Sequence, residues 1–518
     1  MPSAEPSIRT ARLAPALRLR SLYLTRLLYL ELPLILLAAA TLRLIGLGDV
    51  GFNSDEAVYS GQAAAISGDE QLSQFFPIFR AHPLLVQFLT SLLFRFQVSD
   101  LLARSLSAGI GILTVLLVYA IGKHLYGRKA GIFAAMFLAL MPYHVVVSRQ
   151  MLLDGSMTLF AALTFYFLAR YSTSQQSPWL YAAGASMGLT FLSKETGIVL
   201  LAAFYAFFAL SPSIRVRLKD LAISMASMLL VILPFPLTLI LAGGGGAATT
   251  QQYLVWQLLR RPNHEWDFYP TVVGMAIGPL LILVAALGLW LLRKERSWRD
   301  TLLLSWIVIP IVFFQAWPVK GFHYLLLIAP PIAILAGRTL GRWEAIKPRR
   351  SAWIGGLLAV AVALSLAIPS WNRTQPSATG EFLAGSGGVP GGREAGIWVN
   401  GNSPEGASLM TIGPSMANIL QFYGHRRAMG LSVSPNPLHR NPSYQAIRNP
   451  DFEIRTGEFQ YLVWDAYSAA RSSFFSEKLL NYAQRYNGRV VHTESISTVG
   501  PGGEPIEKPV IVIYEVRP

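Results

Sequence analysis

Apolar runs approaching the length that crosses a bilayer, about 20 residues, recur along most of this chain and then stop. They fall at 27–47, 105–122, 130–148, 155–171, 179–193, 196–210, 219–241, 271–292, 301–317, 322–337 and 353–370. The pattern predicts a polytopic α-helical membrane protein with about 11 spans. Basic clusters punctuate the runs. One is N-terminal (Arg9, Arg12, Arg18, Arg20, Arg26), and others lie at Lys123/Arg128/Lys129, Arg215/Arg217/Lys219, Arg293/Lys294/Arg296/Arg299 and Arg338/Arg342/Lys347/Arg349/Arg350. Lys and Arg beside spans mark the cytoplasmic side. Placing all of these clusters there puts residues 1–26 in the cytoplasm, retains the first run as an anchor, and leaves the C-terminus outside.

That parity requires 83–98 not to cross. Gln87, Thr90, Ser91 and Arg95 recur there at helical spacing, one polar stripe on an otherwise apolar helix, which suits a helix lying in the membrane interface. Residues 48–104 then form one external loop with two surface helices, near 56–67 and 83–98. Likewise 179–210 must be two short spans turning outside at Lys194-Glu195, because charges at the centre of one span cost several kcal/mol. The segment 243–270 is external as well, flexible at Gly243 to Gly246, helical near 250–260, and polar at Arg260, Arg261, His264 and Glu265.

Beyond Pro369 the pattern changes. A Gly-rich linker at 385–392 leads to alternating strands (407–413, 460–465, near 489–496 and 509–516) and helices (415–423, 472–487). The turn Gly500-Pro501-Gly502-Gly503 separates the last two strands. Residues 371–518 are therefore expected to be a soluble external α/β domain following a membrane domain at 27–370. No phosphate-cradling, metal-ligating or triad motif is present in it.

Composition narrows the function classes. Charged residues are 14% of 518 against the usual ~25% of soluble proteins, and 53% are hydrophobic. The net charge of +15 sits in loops between spans, which argues for membrane orientation and against nucleic acid. There is no cysteine, so disulfide and thiol chemistry are excluded.

With parity assigned, the polar outliers Asp55, Glu56, His82, Arg149, Asp154, Lys194, Glu195, Arg260, Arg261, His264, Glu265, Lys320 and His323 fall on one side. Carboxylates, bases and imidazoles at one membrane face suit a polar reaction on a lipid-anchored substrate. Each also has a plain structural reading. Ser54 or Asp55 is a candidate cap for the helix that follows, and Asp154 for its own. Lys194 and Glu195 form a candidate ion pair, and Lys320 and His323 are candidate snorkelling residues.

Several stretches resemble the protein O-mannosyltransferase and lipid A aminoarabinose transferase superfamily. They are Asp55-Glu56 after the first span, Ala81-His82-Pro83-Leu84-Leu85, Ala103-Arg104-Ser105-Leu106, Tyr126-Gly127-Arg128-Lys129, Ser148-Arg149-Gln150 to Asp154, and Gly188-Leu189-Thr190-Phe191-Leu192-Ser193-Lys194-Glu195. The likeness runs in order over about 25–340; Leu84 stands where the superfamily commonly has a second proline.

The resemblance implies an integral-membrane glycosyltransferase of the C-type fold, with Asp55 as general base and a polyprenyl-phosphate sugar as donor. Displacement at the anomeric carbon needs a base for the acceptor hydroxyl and cations for the departing phosphate. Lys194, Arg260, Arg261, Lys320 and His323 are candidates for the phosphate. Glu56, His82, Arg149, Asp154, His264 and Glu265 are candidates for binding substrate. A single base without a carboxylate nucleophile implies inversion, unlike the paired carboxylates of retaining glycosidases. No cofactor is obligatory, since lipid phosphate leaves readily, and whether a divalent metal takes part stays open. Protein, lipid or cell-surface glycan are all compatible acceptors. The alternatives are a transporter or flippase of lipid-linked sugars, disfavoured by the lack of internal repeats, and a ligase or polymerase of lipid-linked glycans on the same fold.

Overall fold

The computed structural model describes residues 30–79, 81–242, 245–343, 352–375, 389–499 and 503–517. The N-terminal arginines, Gly243–Gly244, Lys347/Arg349/Arg350, linker residues 385–388 and the turn at 500–502 lie outside them.

Within the described residues, every apolar run forms helix. Asp100–Tyr126, Leu218–Leu241, Trp298–Ala316, Phe322–Gly341 and Trp353–Asn372 are each long and apolar enough to cross a membrane. Among the described residues, counting each of two bent pairs as one span raises the number of helices that pass on length and composition to 7, beside the 11 runs expected. The first pair, Arg128–Leu140 and Pro142–Ser148, bends by 60° where Pro142 cannot donate to the preceding turn. The second, Tyr269–Ile277 and Pro279–Leu291, bends by 89° at Gly278, whose φ of +105° is open to glycine but costly for other residues. The other expected spans form shorter or more polar helices. Glu31–Leu44 has 14 residues, about 21 Å at 1.5 Å per residue. Leu153–Ser174 is diluted by Asp154, Ser156, Thr158 and Thr164, all buried against neighbouring helices. With lipid-facing surfaces such as Leu229, Leu230 and Ile240 left exposed, this is an integral membrane protein. Its helices approach closely through small residues. A Cβ on Gly184 would sit 2.0 Å from the carbonyl oxygen of Ser224, and Ser224 Oγ donates to the carbonyl of Leu180 at 2.8 Å.

The loop after the first helix carries Ser54–Ser67, Glu70–Ser73 and Leu85–Phe94. The 10-residue Leu85–Phe94 is too short to cross, as expected. Its polar stripe, however, points the other way from the interfacial reading. Gln87, Thr90 and Ser91 are buried against protein, Gln87 Nε2 reaching Gln62 Oε1 at 3.4 Å, while Phe88 and Leu92 are exposed. Thr90 and Ser91 return their hydroxyl protons to the carbonyls of Val86 and Phe88, while Arg95, the fourth member of the stripe, is exposed.

The C-terminal region forms one sheet from β1 (Ser408–Thr411), β2 (Arg427–Gly430), β3 (Tyr461–Asp465), β4 (Arg489–Val499) and β5 (Pro505–Glu515), in the order β2-β1-β3-β5-β4. β1 is parallel to both β2 and β3, and β5 is antiparallel to β3 and β4. The 4-residue β2 was not expected; Arg-Ala-Met-Gly carries no strand alternation. The sheet does not stand apart from the loop after the first helix. Phe52, Ala57, Ala63 and Phe76 share one apolar core with Leu409, Ile419, Phe422 and Ile511. Tyr423 Oη receives the amide of Phe52 at 2.8 Å and donates to Asp100 at 2.9 Å, and Arg393 bridges Asp100 and the carbonyls of Gly48 and Asp49. These contacts seat the sheet on the end of Ser54–Ser67 that carries Asp55.

Candidate active site

The cap of Ser54–Ser67 is Asn53, not Ser54 or Asp55. Asn53 Oδ1 accepts the amides of Asp55 and Glu56 at 3.0 Å each, and Glu56 Oε2 accepts the amide of Asn53 at 3.1 Å, a reciprocal capping box. This frees the Asp55 carboxylate, which is exposed and faces a cavity of about 800 Å³.

Glu56 is fully buried and lies outside the cavity lining. Arg104 Nε and Nη2 grip both its oxygens at 2.8 and 2.7 Å, and the amide of Met151 adds 2.9 Å. It ties three segments together, so the expectation that it meets substrate is corrected to a structural role. Arg149 is corrected likewise: its guanidinium closes the end of the first helix by donating to the carbonyls of Leu42, Ile45 and Gly46 at 3.0, 2.7 and 3.2 Å.

The cavity itself gathers Asp55, His82, Lys194, Glu195, Arg260, Lys320 and His323 from separate segments. Lys194 and Glu195 do not pair with each other. Lys194 Nζ donates to both oxygens of Asp154 at 3.0 Å and lies 4.5 Å from the ring centre of Tyr324. Asp154, buried beneath the lining, is thus an anchor rather than a cap. Burial works against the Lys194 ammonium, but Asp154 and then Tyr324 more than offset it and hold its pKa above the usual value. Glu195 receives His82 Nδ1 at 2.7 Å. Burial raises its pKa, and the attraction and hydrogen bond of His82, helped by Lys194, override that and hold it below the ordinary value. His323 Nε2 stands 3.7 Å from Asp154 Oδ2, and its buried Nδ1 has no hydrogen-bond partner among the described residues.

Lys320 is held by its backbone, its amide donating to Asn263 Oδ1 at 2.8 Å and its carbonyl accepting from Asn263 Nδ2 at 2.9 Å. Arg260 stacks over Trp256 at 4.6 Å. Arg261 lines a neighbouring pocket instead. His264 lies flat on Phe268 at 4.1 Å and Glu265 is exposed; neither lines the cavity. Burial, then Arg471 and Lys320, lower the pKa of His264.

The cavity has apolar walls too, from Ile198, Leu254, Phe313, Phe314 and Trp317. Its far side is built by the sheet region: Ser432, His439, Arg440, Asn441, Tyr444 and Arg471. None of Arg260, Lys320, Arg440 and Arg471 is paired with a carboxylate among the described residues.

The family profile described as dolichyl-phosphate-mannose-protein mannosyltransferase matches residues 81–240. An undecaprenyl phosphate-α-4-amino-4-deoxy-L-arabinose arabinosyl transferase of Pseudomonas fluorescens is 29% identical over 286 residues, covering 51% of this chain and 50% of that one. Thus the match spans about half the length of that curated relative. The structure of ArnT from Cupriavidus metallidurans bound to undecaprenyl phosphate superposes with a TM-score of 0.68 at 15% identity, covering 93% of this chain and 97% of that one. The oligosaccharyltransferase of Archaeoglobus fulgidus gives 0.59 at 16% identity, over 92% and 72%. This chain has the fold of the polyprenyl-phosphate-sugar-dependent membrane glycosyltransferase superfamily.

The family match takes in His82, Arg149, Asp154, Lys194 and Glu195, and leaves Asp55, Arg260, Lys320 and His323 outside it. Sequence reasoning missed Arg440 and Arg471, and the wall residues Tyr59, Tyr253, Tyr324 and Tyr444. The one signal available was His439-Arg440-Asn441 in a Pro-rich loop, a weak one without knowledge that the sheet covers the cavity.

Proposed function

We propose that this protein is a glycosyltransferase that moves a single sugar from a polyprenyl-phosphate carrier to an acceptor, with inversion at the anomeric carbon. The observation that carries the reading is one exposed carboxylate, Asp55, sharing a cavity with four cations that have no carboxylate partner among the described residues, beside apolar walls. In the reaction the acceptor oxygen bonds to the anomeric carbon while its proton passes to Asp55. The bond from that carbon to the phosphate oxygen breaks, and the negative charge left on the carrier is met by Arg260, Lys320, Arg440 and Arg471. His323 offers its unpartnered nitrogen to the same phosphate or to the sugar, and Lys194, anchored by Asp154, has one N–H left to give. The wall of Ile198, Phe313, Phe314 and Trp317 suits the first isoprene units of the carrier. By the positive-inside distribution of the loops, the cavity opens on the external face of the plasma membrane, with the N-terminus cytoplasmic.

General-base catalysis contributes about 10²- to 10⁴-fold. Asp55→Asn is expected to lower transfer by that much while the folded protein still binds undecaprenyl phosphate. Transfer at the wild-type rate would refute Asp55 as the base, and failure of the wild type to bind the carrier would refute the donor class.

A further inference from the structure

A second polar space adjoins the cavity. Of about 700 Å³, it lies between the sheet's edge strand β2 and the segment around Gln74–Pro77, and it shares Pro414, Val433 and Tyr444 with the first. The junction is close to the reactive carboxylate. Asn418 Nδ2 donates to Tyr444 Oη at 3.3 Å and to the hydroxyl of Ser54, the residue before Asp55, at 3.0 Å. A chain lying in this groove with its end past Tyr444 would deliver that end toward Asp55.

The lining selects among acceptor chemistries. Its functional groups are chiefly side-chain amides, Gln74, Asn418, Gln421 and Gln445, with the aromatic rings Phe75 and Tyr444. Amides both donate and accept, which matches hydroxyl groups that do the same, although Asn418, whose two N–H groups go to Ser54 and Tyr444, offers its oxygen only; aromatic faces pack on the C–H faces of sugar rings. Its one cation, Arg427, is paired with Glu458, and Glu405 adds a negative charge. A phosphorylated acceptor would find no unpaired cation in this lining. A peptide adding to β2 as a further strand would need the edge carbonyls, and Gln421 Nε2 already occupies that of Ala428 at 2.9 Å.

We propose that this groove is the acceptor subsite and that it holds an uncharged glycan, whose terminal hydroxyl is presented to Asp55. The proposal rests on the glycosyltransferase reading and names its acceptor. Gln74 and Gln445 are exposed and lie away from Asp55's hydrogen bonds, so Gln74→Ala/Gln445→Ala tests the groove without unfolding the chain.

The full-length protein in nanodiscs is titrated separately with neutral hexasaccharides of mannose, glucose and arabinose, a Ser/Thr-rich peptide, lipid A and undecaprenyl phosphate. Saturation-transfer NMR reads the saccharides and peptide, and co-sedimentation reads the lipids. The expected result is binding of at least one hexasaccharide, weakened fivefold or more in the double variant, with undecaprenyl phosphate bound equally by both proteins. Peptide or lipid A binding weakened by the double variant overturns the proposal in favour of that acceptor. No hexasaccharide binding, or binding indifferent to the double variant, overturns it outright. Hexasaccharide binding without any binding of undecaprenyl phosphate keeps the groove as a glycan site and sinks the transferase reading, so the two failures are distinguishable.

Discussion

Removing the carboxylate beneath the cavity floor should expose how much of the site depends on one ion pair. Lys194 and Asp154 are only 5% and 2% exposed, with Nζ 3.0 Å from each carboxylate oxygen. At that distance an effective dielectric of ~20 gives an attraction of about 5 to 6 kcal/mol. Stripping one partner from a buried pair typically costs about 3–5 kcal/mol, because the other charge is left without compensation. Asp154→Asn retains one acceptor for Lys194 and should fall at the lower end of that range; Lys194→Met leaves the buried carboxylate with the His323 ring at 3.7 Å in place of an ammonium and should fall higher. Replacing both, as in Asp154→Leu/Lys194→Met, removes the uncompensated charge and should recover at least half the loss. Thermal unfolding of the purified protein in nanodiscs, followed by intrinsic fluorescence, orders the four proteins. Single variants that melt with the wild type would refute the reasoning, since a dry ion pair cannot be broken without cost. Undecaprenyl phosphate binding then separates roles: a double variant that regains stability without carrier binding assigns Lys194 to the phosphate, and one that regains both assigns the pair to the scaffold.

Glu195 should confer an acid-sensitive share of stability. Its folded pKa is held below the ordinary value near 4.5, so its contribution is complete above that pH and is lost as the pH falls through the folded value. The melting-temperature gap between wild type and Glu195→Gln should therefore be widest above about pH 4.5 and close as the solution is acidified; a gap that widens toward acid contradicts the assignment. Arg149→Met should lower the melting temperature, because three carbonyls lose their donor, while leaving the affinity for undecaprenyl phosphate unchanged. A selective loss of carrier affinity would restore Arg149 to the substrate site.

Much of the helical layout was legible because apolar runs and basic clusters report the bilayer directly. Which runs count as spans was less so. Asp154 and the hydroxyls after it are buried by neighbouring helices, and no one-dimensional hydropathy pattern distinguishes that partner from lipid. Sidedness and the family resemblance together grouped Asp55, His82, Lys194, Lys320 and His323, but they grouped Arg149, His264 and Glu265 with them, which do not line the cavity. The division of labour between adjacent residues was not readable. Asp55 and Glu56 are neighbours in sequence, yet one helical step turns the second onto Arg104 and leaves the first at the cavity. The same holds at Lys194 and Glu195, where extended backbone at Lys194 sends the two side chains to Asp154 and His82. Arg440 and Arg471 were illegible because their relevance depends wholly on where the sheet docks.

That docking has a consequence for biosynthesis. The bonds from Phe52 to Tyr423 and from Ser54 to Asn418 close loops of 371 and 364 residues. A ribosome-bound chain can insert its apolar helices as they emerge, but the residues flanking Asp55 acquire these partners only after about four-fifths of the 518 residues have been made. Until then Phe52 and Phe76 lack the Phe422 ring that packs on them at 5.1 and 6.4 Å. A nonsense mutation before β1 would therefore yield a chain that reaches the membrane with its reactive end unfinished, and quality control would meet those two uncovered rings first.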